Sequence, residues 1–426
     1  MIRTRMYYWC TAMLLGVAPA WGQFDSGSDG SDGAFSLQAD TVIDLSLAST
    51  ASWDTPSPDS GKGVYDADQW AVVFKYTTIN VPAGVTVTFQ NHPSGAPVVW
   101  LASGGVTISG TVSVAGEPGS DRLDPPSFAE PGPGGFAGGQ EGEDSADLRG
   151  SGGFGPGGGS AGTGAGGGHA TAGVAGDSAM IPVAPGGEIY GNVFIVPLIG
   201  GSGGGGYGYA PILERGGGGG AGGGAILIAS SGSITANSGS VITASGGRGG
   251  FAHGGGGSGG SIRLIANSVS GPGQLRAEGG LRGAYRGGDG GLGRIRVDAD
   301  TVTLTDPGVP AWTTDHTSKA VWPSPTAPTL RATVVDGEGA PVDPIARILT
   351  TDLQINNAAP VTIQIEATDI PAGTTVEVRI VPARGDVVTV TSTQLSAGQG
   401  GVLTATAQTV MPSGRAEIQL RANWTP

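Results

Sequence analysis

The chain has 426 residues, of which 83 are Gly, 13% are charged and 6% are aromatic, and its formal net charge is −14. An acidic surplus of this size argues against nucleic acid as a partner, and a single Cys leaves no disulfide framework. So much Gly without a Gly-X-Y period ordinarily signals low complexity, yet here the Gly runs alternate with strand-like text.

Residues 1–22 read as a signal peptide: Arg3 and Arg5, then apolar residues 13–17, then the small Ala18 and Ala20. Cys10 precedes the apolar core, so it is not placed for lipidation. The expectation is an exported protein, secreted or held at the cell surface, and no later stretch is long and apolar enough to span a bilayer. Without Arg3 and Arg5 the charge becomes 19 − 35 = −16.

Residues 23–39 form a polar leader containing Asp25, Asp29 and Asp32. Asp25, Asp29 and Gly30 match calcium-loop positions 1, 5 and 6, but Gly27 and Ser36 stand where ligands 3 and 12 belong. A solvated leader and no cofactor are expected, with Ca²⁺ the ion to consider.

Residues 40–306 carry the main pattern. Trp70-Ala-Val72-Val-Phe74 and 79–89 read as one strand-rich unit, with a tight turn at Pro82-Ala-Gly84. Trp53 and Trp70 suit cap packing, or alternatively sugar stacking. VVWLASGGVTISG starts at Val98, and related copies start at Ala225, Ser261 and Arg294. Their apolar residues alternate, a strand signal. Ile226 and Ile262 are 36 residues apart and Ile262 and Ile295 are 33 apart, spacings typical of stacked units.

The pattern fits a right-handed parallel β-solenoid. Gly-rich inserts leave it at 116–224, 246–260 and 279–293, each after an equivalent short strand, so they should emerge side by side. Between Pro131 and Gly224 there are 38 Gly in 94 residues. If ordered, such runs would form polyglycine-II-like rods, packed where side chains are absent and donating amides to their neighbours.

Two constellations stand out. Tyr207, Tyr209, Phe251 and Tyr285 lie within the inserts, as do Phe136 and Phe154; they could contact a partner or lock the rods to the solenoid. Arg248, Arg263, Arg276, Arg282, Arg286, Arg294 and Arg296 crowd one section. Aligning the copies places Arg263 and Arg296 at equivalent outward positions, about 4.8 Å apart, which is unfavourable unless Glu278, Asp289, Asp298 or a bound anion compensates. A solvated face neutralised by those carboxylates is expected, and a local site for an acidic glycan or phosphate is the alternative.

Catalytic signals are weak, and a non-enzymatic protein is expected. GxSxG occurs around Ser202 and Ser258 without strand-turn-helix context, and His92, His169, His253 and His316 lack metal-ligand spacing. A polysaccharide lyase or hydrolase would need clustered carboxylates on one face, whereas the coils show isolated acids such as Asp298 and Asp300.

The alternation of GGGGxGG runs with Ile-rich strands over residues 24–306 resembles Gly-rich secreted proteins of myxobacteria and planctomycetes. It is more distantly similar, in texture, to polyglycine-bundle phage tail-tip adhesins and to the Gly-rich domain of the anaplastic lymphoma kinase receptor. The resemblance implies a rigid bundle carrying exposed loops and transfers no catalytic residue.

Residues 307–328 read as a Pro-rich cap and linker. From 329 to 426 Gly falls to 8 in 98 residues, and short alternating runs fit a β-sandwich of immunoglobulin or fibronectin-III type. The expected function is extracellular or surface structure and adhesion, with an extracellular glycan or surface protein as partner. The alternative is a glycan-binding or polysaccharide-degrading β-helix protein.

Overall fold

The computed structural model describes residues 24–121, 127–141, 150–162, 164–177, 185–208, 216–284, 286–314, 319–321, 329–335, 358–382, 387–398, 401–413 and 416–422. The expected signal peptide and part of the expected linker lie outside them. The fold is all-β, with a 3-10 turn at Leu45–Leu47 and no α-helix among the described residues. No helix there is long and apolar enough to cross a membrane.

The first sheet has ten strands. Its main path runs Thr313–Thr314, Arg294–Leu304, Ser261–Gly271, Ala225–Ala236, Val98–Ala102, Ala71–Val81, Val64–Asp66 and Ser49–Thr50. The copies align as the spacing requires: Ile262 pairs with both Ile226 and Ile295, and Ile226 pairs with Val98. Val72 extends this row. A second sheet of five parallel strands, Gln274–Arg276, Val241–Thr243, Thr111–Ser113, Thr86–Gln90 and Thr41–Asp44, follows the same succession.

The first sheet is mixed, not purely parallel. Val64–Asp66 runs antiparallel to Ala71–Val81, because a tight turn joins the two, and such a link reverses the chain where a parallel pairing would need a long crossover.

Between the sheets, equivalent side chains stack row upon row into one core: Phe74, Trp100, Ile228, Leu264 and Val297 form one file, and Val87, Val112, Ile242 and Leu275 face it. Each such side chain contributes roughly 1.5–3 kcal/mol on burial, so the stack supplies the main stabilisation.

The other face of the first sheet is buried as well. Ala71, Val73, Val99, Leu101, Leu227, Ala229 and Ile265 form a second cluster, covered by Phe24, Trp53, Leu198 and Val321. The leader is therefore packed on the sheet, with Asp25 and Asp29 still exposed. The Phe24 amide donates to Asn267 Oδ1 at 3.0 Å, Ser26 is buried, and Gly33–Ser36 pairs with Ala71–Val81. Asp32 is buried and accepts from the amides of Gly61, Gly63 and Lys75, while Asp29 lies 3.5 Å from the buried Lys75 ammonium. These carboxylates bind the leader to the sheet. Trp53 and Trp70 both pack against clusters, and Trp70 Nε1 donates to the Ser94 carbonyl.

The last row is closed by residues 306–314. The Val309 amide donates to Leu275 at 3.0 Å, Ala277 donates back to Val309 at 2.7 Å, and Trp312 packs on the core. Further along, two antiparallel sheets enclose a separate cluster. One runs Thr329–Val335, Val361–Thr368, Leu403–Thr409 and Ser396–Ala397; the other runs Val388–Gln394, Thr375–Pro382 and Ala416–Ala422.

Candidate functional site

The Gly inserts leave the second sheet side by side: Val114 donates to Thr243 and Ala244 to Arg276, then Gly116 to Ser245 and Gly246 to Glu278. Beyond that edge they form a hydrogen-bonded bundle with a repeat of three. In the fully buried segment 216–224, Gly217, Gly220 and Gly223 donate to Ala252, Gly255 and Ser258 at 2.7, 2.8 and 2.9 Å. Gly218, Ala221 and Gly224 donate to Ser120, Glu117 and Val114, and Gly219 and Gly222 to Gly139 and Phe136. Gly201, Gly204 and Tyr207 donate in return to Gly223, Gly220 and Gly217.

A three-residue turn points successive amides at three different neighbours, and only Gly lets backbones approach so closely. A β-carbon on Gly222 would lie 1.8 Å from the Gly201 carbonyl oxygen. One bond per residue, worth about 1 kcal/mol net, roughly offsets the about 1–2 kcal/mol of backbone entropy lost. The bundle therefore depends on the sheets that anchor its near end.

Its far end gathers the turns of separate inserts. Asp121 bridges to Gly217, Gly162 to Tyr207 and Ala252 to Ala284. Two of the aromatic candidates meet here. Tyr207 is buried and packs on His253 with ring centroids 4.5 Å apart, whereas Phe251 is 46% exposed. Tyr207 thus locks the bundle and Phe251 is displayed. Tyr209 and Tyr285 lie outside the described residues. Burial, followed by the charge of Arg286, holds the His253 pKa below its usual value.

The arginines separate into distinct groups. Arg263 and Arg296 are paired in register, as the alignment requires, but both are buried, covered on the outer sheet face. The charge between them is Asp298, fully buried, with Arg263 Nε at 3.1 Å and Arg296 Nε at 2.9 Å from Oδ2. Arg263 also donates to Ala320, and Phe194 lies over the Arg296 guanidinium at 5.2 Å. Burial lowers the Arg263 pKa, and Asp298 opposes that effect. This is an internal clamp, not an open anion site. Arg276 pairs with Asp306 at 2.9 Å. Arg248, Arg282 and Arg286 stay exposed on the segments that run into the far-end turns.

A buried polar knot joins the bundle to the 189–196 loop; the sequence patterns mark His169, Ser202, Ser258 and Arg294 separately but do not bring them together. His169 is fully buried; its Nδ1 donates to the Gly259 carbonyl at 2.8 Å and its ring stacks on Tyr190. Tyr190 donates to the Gly200 carbonyl at 2.5 Å, Ser202 Oγ donates to Tyr190 at 3.1 Å, and Ser258 Oγ donates to Gly168 at 3.0 Å. Arg294 donates to the Tyr190 carbonyl at 2.7 Å.

Burial first, and then Arg294, pull the His169 pKa down to about 4, while burial raises that of Tyr190. Ser202 and Ser258, the two GxSxG serines, are fully buried; Ser258 Oγ accepts from the Ser202 amide at 2.8 Å and Ser202 Oγ accepts from the Gly157 amide at 3.0 Å. In the sequence each is visible as a Ser interrupting a Gly run. Among the described residues, no group of three or more His, Cys, Asp or Glu is placed to hold a metal ion.

No protein-family model matches this chain. Neither a curated protein nor a solved structure matches it.

Proposed function

We propose that this is an exported structural or adhesion protein of the cell surface or extracellular space. In this reading a right-handed parallel β-solenoid carries a polyglycine-II-like bundle as a stiff shaft, and an Ig/FnIII-like C-terminal sandwich connects it to its surroundings. The observation that supports it most is the fully buried backbone core of residues 216–224, which holds the turns of separate inserts at one end. A rigid scaffold presenting loops is the usual way to position a binding surface.

The exposed Phe251 favours a second reading, a glycan-binding β-helix protein. A polysaccharide-degrading version fits less well, because Asp298 is committed to two arginines and Asp300 to Lys319.

The test is protease shaving of intact producing cells, combined with an adhesion assay on cells lacking the protein. Release of the protein by shaving and loss of attachment without it support the adhesion reading. Retention inside the cell, or unchanged attachment, overturns it. Turnover of a polysaccharide by the purified protein would favour the degrading alternative.

A further inference from the structure

Several cations of this acidic chain that the structure describes are neutralised in place. Lys62 pairs with Asp59, Lys75 with Asp29, Arg276 with Asp306, Lys319 with Asp300, and Arg263 and Arg296 with Asp298. Arg248, Arg282 and Arg286 differ. All three are exposed, and among the described residues no ion pair engages them.

Arg286 lies in a far-end turn, Arg282 four residues ahead of it, and Arg248 on the adjoining segment three residues before Phe251. The Gly249 amide donates to the Leu281 carbonyl at 2.8 Å, setting the strand of Arg248 against that of Arg282. The Arg286 amide donates to His253 Nδ1 at 3.1 Å, fixing the third beside the turn that carries Phe251. Of the nearby carboxylates, Asp121 accepts from the Phe251 amide and Asp289 from the Arg282 amide at 2.9 Å, while Glu117 is exposed two residues before Gly119, whose amide donates to the Arg248 carbonyl. Asp177 is exposed at the same end, where its amide donates to the Arg286 carbonyl.

We propose that the far end of the bundle binds an acidic polysaccharide, with Arg248, Arg282 and Arg286 holding carboxylate or sulfate groups and Phe251 offering a face to a sugar ring. Guanidinium groups pair with such oxyanions through paired N–H donors, and an exposed aromatic ring suits the apolar face of a pyranose. The net charge of −14 opposes approach of a bulky polyanion such as duplex DNA along the body. A single glycan chain reaching only the tip avoids most of that repulsion. The proposal rests on the display reading above and names its ligand.

The test uses the full chain in affinity electrophoresis through gels containing polygalacturonate, dextran sulfate or neutral dextran. Retardation by one or both acidic polymers, weakened by salt and absent with dextran, is expected, and the polymer that retards identifies carboxylate or sulfate as the group held. The triple variant Arg248→Gln/Arg282→Gln/Arg286→Gln should weaken binding at least about tenfold, as expected for removal of charge-assisted contacts, with an unchanged melting temperature. Phe251→Ala should weaken it by a smaller factor.

No retardation by either acidic polymer, equal retardation in the triple variant, or equal binding to duplex DNA would overturn the proposal. If the triple variant still restores cell attachment, the adhesion reading survives and the acidic-glycan assignment alone fails.

Discussion

A β-carbon placed on Gly219 would lie 1.8 Å from the carbonyl oxygen of Gly204, whose own amide donates to Gly220 at 2.9 Å. The opposing atom is backbone held on both sides, so it cannot swing aside. Gly219→Ala should therefore separate the two segments. Its cost should be several times larger than that of Gly239→Ala, where φ is +80° and nothing lies within 4 Å, leaving only left-handed strain of about 1–2 kcal/mol. Thermal unfolding of the two variants checks the difference; equal melting temperatures would show that the bundle yields.

Amide exchange should be slow across 200–208, 216–224 and 254–260, which are buried and bonded to neighbours on several sides. Protection near the global unfolding limit is expected there. Exchange at the random-coil rate in these peptides would sink the shaft.

His169 makes stability depend on pH. Its folded pKa of about 4 lies below the ordinary value of 6.5, so the unfolded chain takes up the proton first. The stabilisation is complete above about pH 6.5 and is lost progressively as pH falls towards 4, amounting to about 3 kcal/mol. In His169→Asn, whose amide can keep a bond to Gly259, that part of the slope should disappear. Denaturant titrations of both proteins between these pH values provide the check.

Asp298→Asn should cost about 3–5 kcal/mol, because it leaves two buried guanidinium groups uncompensated. Replacing Arg263 and Arg296 by Met together with Asp298→Leu should be far less damaging. Urea unfolding midpoints distinguish a charge clamp from simple packing: similar losses in the two variants would refute the clamp.

Much of the sheet architecture is legible in the sequence. The spacing of Ile226, Ile262 and Ile295 locates the rows, and the same alignment brings Arg263 beside Arg296. Burial of the outer face goes unseen in a reading by alternation, although VVWLA at Val98 carries no polar residue at alternate positions, the mark of a strand covered on both sides. The route of the Gly segments cannot be read, since a run without side chains has no pattern to show which neighbour each amide meets. The exposed arginines are visible only as part of a larger crowd; separating them requires knowing which ones Asp298 and Asp306 neutralise.

The three-residue repeat gives the shaft something like a reading frame. Inserting one Gly into residues 216–224 would rotate every later donor by a third of a turn, turning amides meant for 252–258 towards 114–120. Inserting three would restore the pattern one turn further on. Such a shaft can lengthen or shorten in steps of three while its turns vary independently, so reach and recognition can change separately.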